Sequence, residues 1–134
     1  METLKKITLA VADDCDFQRN VIRILVKNSL TLELVTMAKD GMDLIEQLSV
    51  LQETPEVCIL DLHMPEVDGV SAARQLANNF PSIILFGYTS TDNIREIDRF
   101  KESGVLSVFP KENLQVMLKT IEKLRDCPHK QSEC

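Results

Sequence analysis

The chain has 134 residues, of which 44% are hydrophobic and 27% are charged, as expected for one globular domain with a single sizeable core. Its net charge of −6 and the absence of a basic run longer than a pair argue against a large nucleic-acid footprint. Without a signal peptide, a membrane-spanning apolar stretch or a CxxC cysteine spacing, the sequence predicts a cytoplasmic protein with no membrane partner.

The first half of the chain alternates between strand-like and helix-like segments. Residues 7–12 form an apolar run typical of a buried strand. The helix that follows is predicted to have a wide apolar stripe made of Phe17, Val21, Ile24 and Leu25. Residues 32–37 form the second predicted strand, and Gly41 precedes the second helix. The apolar face of that helix is predicted to consist of Leu44, Ile45 and Leu48.

The same alternation continues to the end of the chain. Residues 56–60 and the uncharged run 83–88 are the third and fourth predicted strands, and a helix lies between them. A fourth helix over residues 92–103 has a thin apolar face, which consists of Ile94, Ile97 and Phe100. Residues 105–109 form a fifth strand before a final amphipathic helix. This pattern predicts an α/β domain of βα units around a parallel sheet.

Polar side chains follow four of the five predicted strands. Asp13 and Asp14 follow the first strand, Asp61 the third, Thr89 the fourth and Lys111 the fifth. The second strand, which ends at Met37-Ala38, alone has no polar residue at its immediate end. Because right-handed crossovers place the carboxyl ends of parallel strands at one edge, we expect these side chains to converge there.

The residue types at this edge suit phosphoryl transfer. Three neighbouring carboxylates repel one another, and a hard divalent cation such as Mg²⁺ relieves that repulsion. Lys111 can neutralise phosphoryl oxygens, and the Thr89 hydroxyl can donate to them. A nucleotide site is disfavoured, since the sequence has no Gly-rich phosphate loop.

Over about residues 6–125 the sequence resembles the response-regulator receiver family of two-component signalling. The resemblance rests on the Asp13-Asp14 pair, the LDLHMPEVDG block around Asp61, the FGYTS end of the fourth strand and Lys111. The sequence intervals between them are similar to those of receivers with helix-turn-helix output domains. The resemblance implies a three-layer, doubly wound, flavodoxin-like fold, with five parallel strands in the order 2-1-3-4-5.

The resemblance also implies the roles of the site residues. Asp61 would be the phosphoacceptor, with Thr89 and Lys111 contacting the phosphoryl group. Mg²⁺, for which Mn²⁺ can substitute, would be bound by Asp14, Asp61 and the backbone carbonyl of His63. Asp13 would reach the metal mainly through water.

The function implied is a phosphorylation-dependent switch rather than a turnover enzyme. A histidine kinase or phosphotransfer protein would donate the phosphoryl group. The fourth helix, fifth strand and fifth helix would then contact a downstream protein or the chain's own output domain, and a phosphorylation-dependent dimer is left open. The receiver would span residues 1–126, with residues 127–134 as a polar, disordered tail.

Several alternatives remain at this point. The chain could be the receiver part of a DNA-binding regulator, or a pseudo-receiver that binds partners without phosphate. An aspartyl-phosphate phosphohydrolase is disfavoured, because such enzymes place the nucleophile after the first strand with a second acid two residues later, where His63 stands here. Asp13 and Asp14 could also cap a helix. We expect the His63 side chain to lie over the site entrance, and one of Ser90, Thr91 and Asp92 to cap the fourth helix.

One departure from the family pattern concerns the switching mechanism. Receivers commonly have Tyr or Phe three residues before the lysine, where this sequence has the β-branched Val108. Phe109 is not expected to replace that ring, because adjacent strand residues face opposite sides of a sheet. We therefore predict that the output passes through backbone movement of residues 89–93 and the fourth helix.

Overall fold

Strands and helices alternate along residues 5–124, the part of the chain that this computed structural model describes. The elements, in chain order, are β1 (Ile7–Ala12), α1 (Asp16–Lys27), β2 (Leu32–Ala38), α2 (Gly41–Val50), β3 (Val57–Asp61), α3 (Gly69–Asn79), β4 (Ile84–Thr89), α4 (Ile94–Glu102), β5 (Ser107–Pro110) and α5 (Leu114–Glu122). A short 3-10 helix, Lys111–Asn113, joins β5 to α5. The predicted tail at residues 127–134 lies outside the described residues.

The strands form one parallel sheet in the order β2-β1-β3-β4-β5, as predicted. Side chains alternate between its two faces. Leu9 and Val11 pack in the cluster that contains the buried positions of α1 and α5, whereas Ala10 and Ala12 pack with those of α2, α3 and α4. The sheet is therefore the middle of three layers, and both of its faces are covered. In the described residues no helix is both long enough and apolar enough to span a bilayer.

The predicted apolar stripe of α1 is partly wrong. Ile22 and Val26, one turn apart, are the buried residues of this helix. Phe17 and Ile24 were predicted to face the core, but they are 73% and 59% exposed. Because apolar residues extend around much of α1, the periodicity alone did not identify which of them face the sheet.

The fifth strand begins later than predicted. Val105 is buried, but the next side chain, Leu106, is exposed, and regular pairing with β4 starts at Ser107. On β5, Val108 packs against the cluster that includes α4, whereas Phe109 packs against the opposite cluster. The two side chains therefore face opposite sides of the sheet, as predicted; that Phe109 does not replace a switching ring stays a prediction.

A single fully buried side chain, Phe100, anchors α4. Its ring lies over Gly87 of β4, where an added Cβ would be 2.5 Å from a ring carbon. The other end of the helix is poorly covered, since Ile94 is 73% exposed. Asn93 caps α4 by accepting a hydrogen bond from the Glu96 N–H, so the prediction of a cap at residues 90–92 is wrong. This limited packing leaves α4 able to shift.

Candidate functional site

The carboxyl ends of β1, β3 and β5 bring two aspartates and a lysine into direct contact. The Lys111 Nζ lies 3.2 Å from Asp13 Oδ2 and 3.2 Å from Asp61 Oδ1. Both carboxylates are buried, and the lysine side chain is mostly covered. The convergence predicted from the strand ends is therefore present for these three residues.

Asp14 completes an acidic cluster at the same edge. Asp13, Asp14 and Asp61 each offer a carboxylate oxygen, and these three oxygens lie within 4.8 Å of one another. Asp14 is exposed and the other two are buried. Neither aspartate caps α1, whose N-cap is Cys15, although the Cys15 N–H donates to Asp13 Oδ1 at 2.9 Å. A set of hard, anionic oxygens open to solvent on one side fits Mg²⁺ or Mn²⁺.

The electrostatics of the cluster disfavour an ionised Asp61. Burial, and after it the neighbouring Asp13 charge, raise the pKa of its carboxyl to about 7, against the opposing effect of Lys111. Burial lowers the pKa of Lys111, but the carboxylates of Asp61 and Asp13 outweigh this and raise it overall. The lysine thus stays charged, and one lysine does not fully neutralise the buried carboxylates.

This pKa predicts that Asp61→Asn raises the melting temperature of the metal-free protein at neutral pH. The pKa of Asp61 is near its ordinary value of 3.8 in the unfolded chain and about 7 in the folded protein. Folded wild type therefore binds the extra proton, and its stability falls as pH rises from about 4 to about 7. The advantage of the variant should grow across that window in thermal unfolding with EDTA. Equal melting temperatures for Asp61→Asn and wild type at every pH would contradict the raised pKa of Asp61.

The loop after β3 is held tightly against the site. The Leu62 N–H donates to the Tyr88 carbonyl oxygen at 3.1 Å, and the Gly69 N–H donates to the Leu62 carbonyl oxygen at 2.7 Å. A Cβ at Gly69 would lie 2.4 Å from the Asp61 carbonyl oxygen. Only glycine allows this approach, which explains the Asp-Gly that ends the loop.

A chain of hydrogen bonds links the end of β4 to α4 and to the loop after β3. The Thr89 hydroxyl accepts from the Thr91 N–H at 3.1 Å, and the Thr91 hydroxyl donates to Glu96 Oε1 at 3.0 Å. The other Glu96 oxygen, Oε2, is 3.2 Å from His63 Nε2. The hydrogen bonds from His63 and then Thr91 lower the pKa of Glu96. This series of hydrogen bonds, which we call the Thr89–Glu96 relay, begins at Thr89, a residue predicted to contact the phosphoryl group.

Two predicted contacts stay predictions. Thr89 is buried at the site edge, and its neighbour Tyr88 is the register partner of Asp61. Contact between Thr89 and a phosphoryl group stays a prediction. Binding of a metal by the His63 carbonyl oxygen also stays a prediction. The exposed His63 side chain lies against Glu96.

Tyr88 is a site residue that the sequence did not reveal. Its ring is fully buried on β4, its hydroxyl donates to Asp13 Oδ2, and the Lys111 Nζ lies 5.0 Å from the ring centroid. Burial and the Asp13 charge raise the pKa of the hydroxyl, which keeps it a neutral donor. In the sequence, Tyr88 alternates with Phe86 like an ordinary core residue. Its role depends on the position of Asp13 across the sheet.

Residues 9–122 match the family described as the response regulator receiver domain. The chain belongs to this family. With the sheet order and the acidic edge described above, this match confirms the predicted fold and the interpretation as a receiver domain of two-component signalling, a phosphorylation-dependent switch. The receiver is not itself a turnover enzyme.

Curated relatives and solved structures agree with this assignment. A protein-glutamate methylesterase/protein-glutamine glutaminase from Geobacter sulfurreducens is 31% identical over 108 residues, which cover 80% of this chain and 29% of that protein. The chain therefore spans about a third or less of the length of such relatives. The signal receiver domain of the response regulator NarL from Mycobacterium tuberculosis is 20% identical, with a TM-score of 0.80 over 96% of this chain and all of that one. The response regulator domain of Thermotoga maritima CheB is 22% identical, with a TM-score of 0.76 over 91% and 96% of the two chains.

Proposed function

We propose that Asp61 accepts a phosphoryl group in a Mg²⁺-dependent reaction and that the product changes a partner-binding face of the domain. One observation carries this proposal. The Asp61 carboxylate is buried at the point where Lys111 and two further carboxylates converge, so a nucleophile, a fixed cation and a set of metal ligands share one site. This combination serves phosphoryl transfer, in which the main task is to position the reactants and neutralise charge.

In the proposed reaction an Asp61 carboxylate oxygen attacks the phosphorus of the donor. The new oxygen–phosphorus bond forms as the bond to the leaving group breaks. From a phosphohistidine protonated on its other ring nitrogen the leaving group is neutral imidazole, and from acetyl phosphate it is acetate. The Lys111 ammonium, now 3.2 Å from both Asp13 and Asp61, turns toward the phosphoryl oxygens. Asp61 is then an acyl phosphate, and its own charge is replaced by that of the phosphoryl group.

Asp14 and Asp61 would bind Mg²⁺ directly, together with the His63 carbonyl oxygen. The bound metal would supply charge neutralisation for the phosphoryl oxygens. Asp14 is exposed and can reach an incoming ion. Both oxygens of Asp13 already accept hydrogen bonds or an ion pair from Cys15, Tyr88 and Lys111. This occupancy supports a role for Asp13 through a metal-bound water.

The proposal is tested by intact mass of the wild-type protein after incubation with acetyl phosphate and Mg²⁺. We expect the mass to increase by one phosphoryl group, and we expect no increase when EDTA replaces the metal. A wild-type protein that folds, binds Mg²⁺ and still gains no phosphoryl group would favour the pseudo-receiver alternative.

The partners are proposed from the chemistry of the site. A histidine kinase or phosphotransfer protein in the cytoplasm would supply the phosphohistidine. Output would pass through the face formed by α4, β5 and α5 to a downstream protein or an attached output domain, and by dimerisation if two such faces meet. We expect no direct nucleic-acid contact by this acidic domain. The curated relatives are named protein-glutamate methylesterase/protein-glutamine glutaminase, but this chain matches less than a third of the length of the first three, so their names do not select its output.

We further propose that the Thr89–Glu96 relay transmits phosphorylation to α4. If the Thr89 hydroxyl turns toward the phosphoryl group, it breaks the hydrogen bond that it now accepts from the Thr91 N–H. Thr91 also donates to Glu96 on α4, so its displacement pulls on the first turn of that helix. Because Phe100 is the only buried residue of α4, this end of the helix can move without unpacking a large core.

Glu96→Ala is therefore expected to leave Asp61 phosphorylation intact and to reduce the response of α4. The measurement compares amide signals before and after phosphorylation. In wild type, the amides of α4 should shift more than those of α1. In Glu96→Ala the α4 shifts should fall by at least about half, because the hydrogen bond to Thr91 is absent.

Two matched variants control this experiment. Glu102→Ala removes the same charge from the exposed end of α4 and should respond like wild type. Val108→Ala shortens the side chain at the family's aromatic position and should also keep the α4 response. If Val108→Ala abolishes the α4 shifts while Glu96→Ala preserves them, the signal travels through position 108 and the relay is wrong.

A further inference from the structure

The Tyr88 hydroxyl lies against the Asp13 carboxylate, and the proposed reaction gives it no role. Asp13 is a fully buried carboxylate that accepts from the Cys15 N–H on Oδ1 and from the Tyr88 hydroxyl on Oδ2. Its third polar partner, Lys111, is shared with Asp61. A buried carboxylate is held in one orientation only while its donors stay in place.

Phosphoryl transfer removes one of these donors. In the proposed reaction Lys111 turns toward the phosphoryl oxygens, and its contact with Asp13 weakens. The Tyr88 hydroxyl is then the side-chain donor that remains on Oδ2. Without it, the carboxylate could rotate away from the metal-binding oxygens of Asp14 and Asp61, since only the Cys15 N–H would restrain it.

The fold holds the Tyr88 hydroxyl more rigidly than a loop residue could. Its backbone lies on the interior strand β4, where it is paired with Asp61 of β3 and with Phe109 of β5. Its ring packs in the cluster that includes Leu114 and Met117 of α5. A tyrosine side chain also has few rotatable bonds, so the donor is in place before a metal or phosphoryl group arrives.

We propose that Tyr88 is a positioning residue for the metal site, and that its hydroxyl orients Asp13 toward the Mg²⁺ coordination sphere. The inference rests on the proposed Mg²⁺-dependent function and deepens it. Tyr88 itself touches neither the metal nor the phosphoryl group. It acts through the carboxylate that accepts its hydrogen bond.

The test is Mg²⁺ affinity of Tyr88→Phe measured by calorimetry. Phenylalanine keeps the ring and its packing and removes only the hydroxyl. We expect the dissociation constant to rise roughly three- to tenfold, the size of one ordinary hydrogen bond, because the hydroxyl acts on the metal only through Asp13. Ser103→Ala removes a different buried hydroxyl, which donates to the Phe100 carbonyl oxygen at the C-terminal end of α4, and this variant should bind Mg²⁺ as wild type does.

A double-mutant cycle shows whether Tyr88 acts through Asp13. In an Asp13→Ala background, Tyr88→Phe should change the Mg²⁺ dissociation constant less than twofold, because the acceptor is already absent. An effect of equal size in both backgrounds would mean that the hydroxyl acts by another route and would overturn the proposal. An unchanged or tighter affinity in the single variant would overturn it too.

The wild-type protein provides an independent readout. The chain has one tyrosine and no tryptophan, so its tyrosine emission comes from Tyr88 alone. A hydroxyl bonded to a carboxylate loses fluorescence by releasing its proton in the excited state, and a cation near that carboxylate opposes the release. We expect emission to rise with Mg²⁺ at the calorimetric half-saturation. Constant tyrosine emission through Mg²⁺ saturation would overturn only the proposed role of Tyr88. A wild-type protein that does not bind Mg²⁺ would overturn the proposed function as well.

Discussion

Asp61→Asn is expected to gain no phosphoryl group from acetyl phosphate under conditions that label the wild-type protein. The amide lacks the anionic oxygen that would attack phosphorus and form an acyl phosphate. Asparagine nearly preserves the size of the side chain, so the buried site and its Lys111 contact are disturbed little. Intact mass measures the result directly. Labelling of the variant at the wild-type rate would assign the phosphoryl group to another residue.

Asp68→Asn is the matched control for this variant. It makes the same chemical change in the same loop, at an exposed aspartate that caps α3 by accepting from the Ser71 N–H. Asparagine also caps helices well, so the loop should keep its conformation. We expect Asp68→Asn to be labelled like wild type. If metal-free Asp61→Asn has the higher melting temperature that we expect, its loss of labelling does not come from unfolding.

The site residues that the sequence predicted are those whose positions follow from parallel-sheet geometry. Asp13, Asp61 and Lys111 follow strands that must end at the same edge, and the structure places them in contact. The fold was predictable for a similar reason, since buried strands and amphipathic helices differ in period. These inferences needed the order of the elements but not the detailed packing of their side chains.

The residues that sequence reasoning missed depend on packing across the sheet. Tyr88 has the pattern of a core residue, and only the placement of Asp13 beside its hydroxyl gives it a polar partner. Glu96 meets Thr91 and His63 because Phe100 seats α4 over Gly87. The Tyr88–Asp13 and Glu96–His63 contacts have no local sequence signature, because each joins elements that are distant along the chain.

Asp14→Ala is expected to weaken Mg²⁺ binding by about a hundredfold or more. Replacing an outer-shell partner of a metal ligand already costs 10- to 100-fold in many sites, and Asp14 is proposed as a direct ligand. The variant would leave the carboxylates of Asp13 and Asp61, and Asp13 is already held by Tyr88 and Lys111. Too few hard oxygens would remain for an ion that requires near-octahedral coordination.

The measurement is Mg²⁺ affinity by calorimetry, with Asp16→Ala as the control. Asp16 is a nearby exposed acid on the first turn of α1, where it pairs with Arg19. Its removal changes the net charge by the same amount, so any general electrostatic attraction of Mg²⁺ falls equally in both variants. We expect Asp16→Ala to bind Mg²⁺ within about twofold of wild type, as expected for a screened surface charge. Equal affinities in the two variants would show that Mg²⁺ responds to net charge alone and that Asp14 is not a ligand.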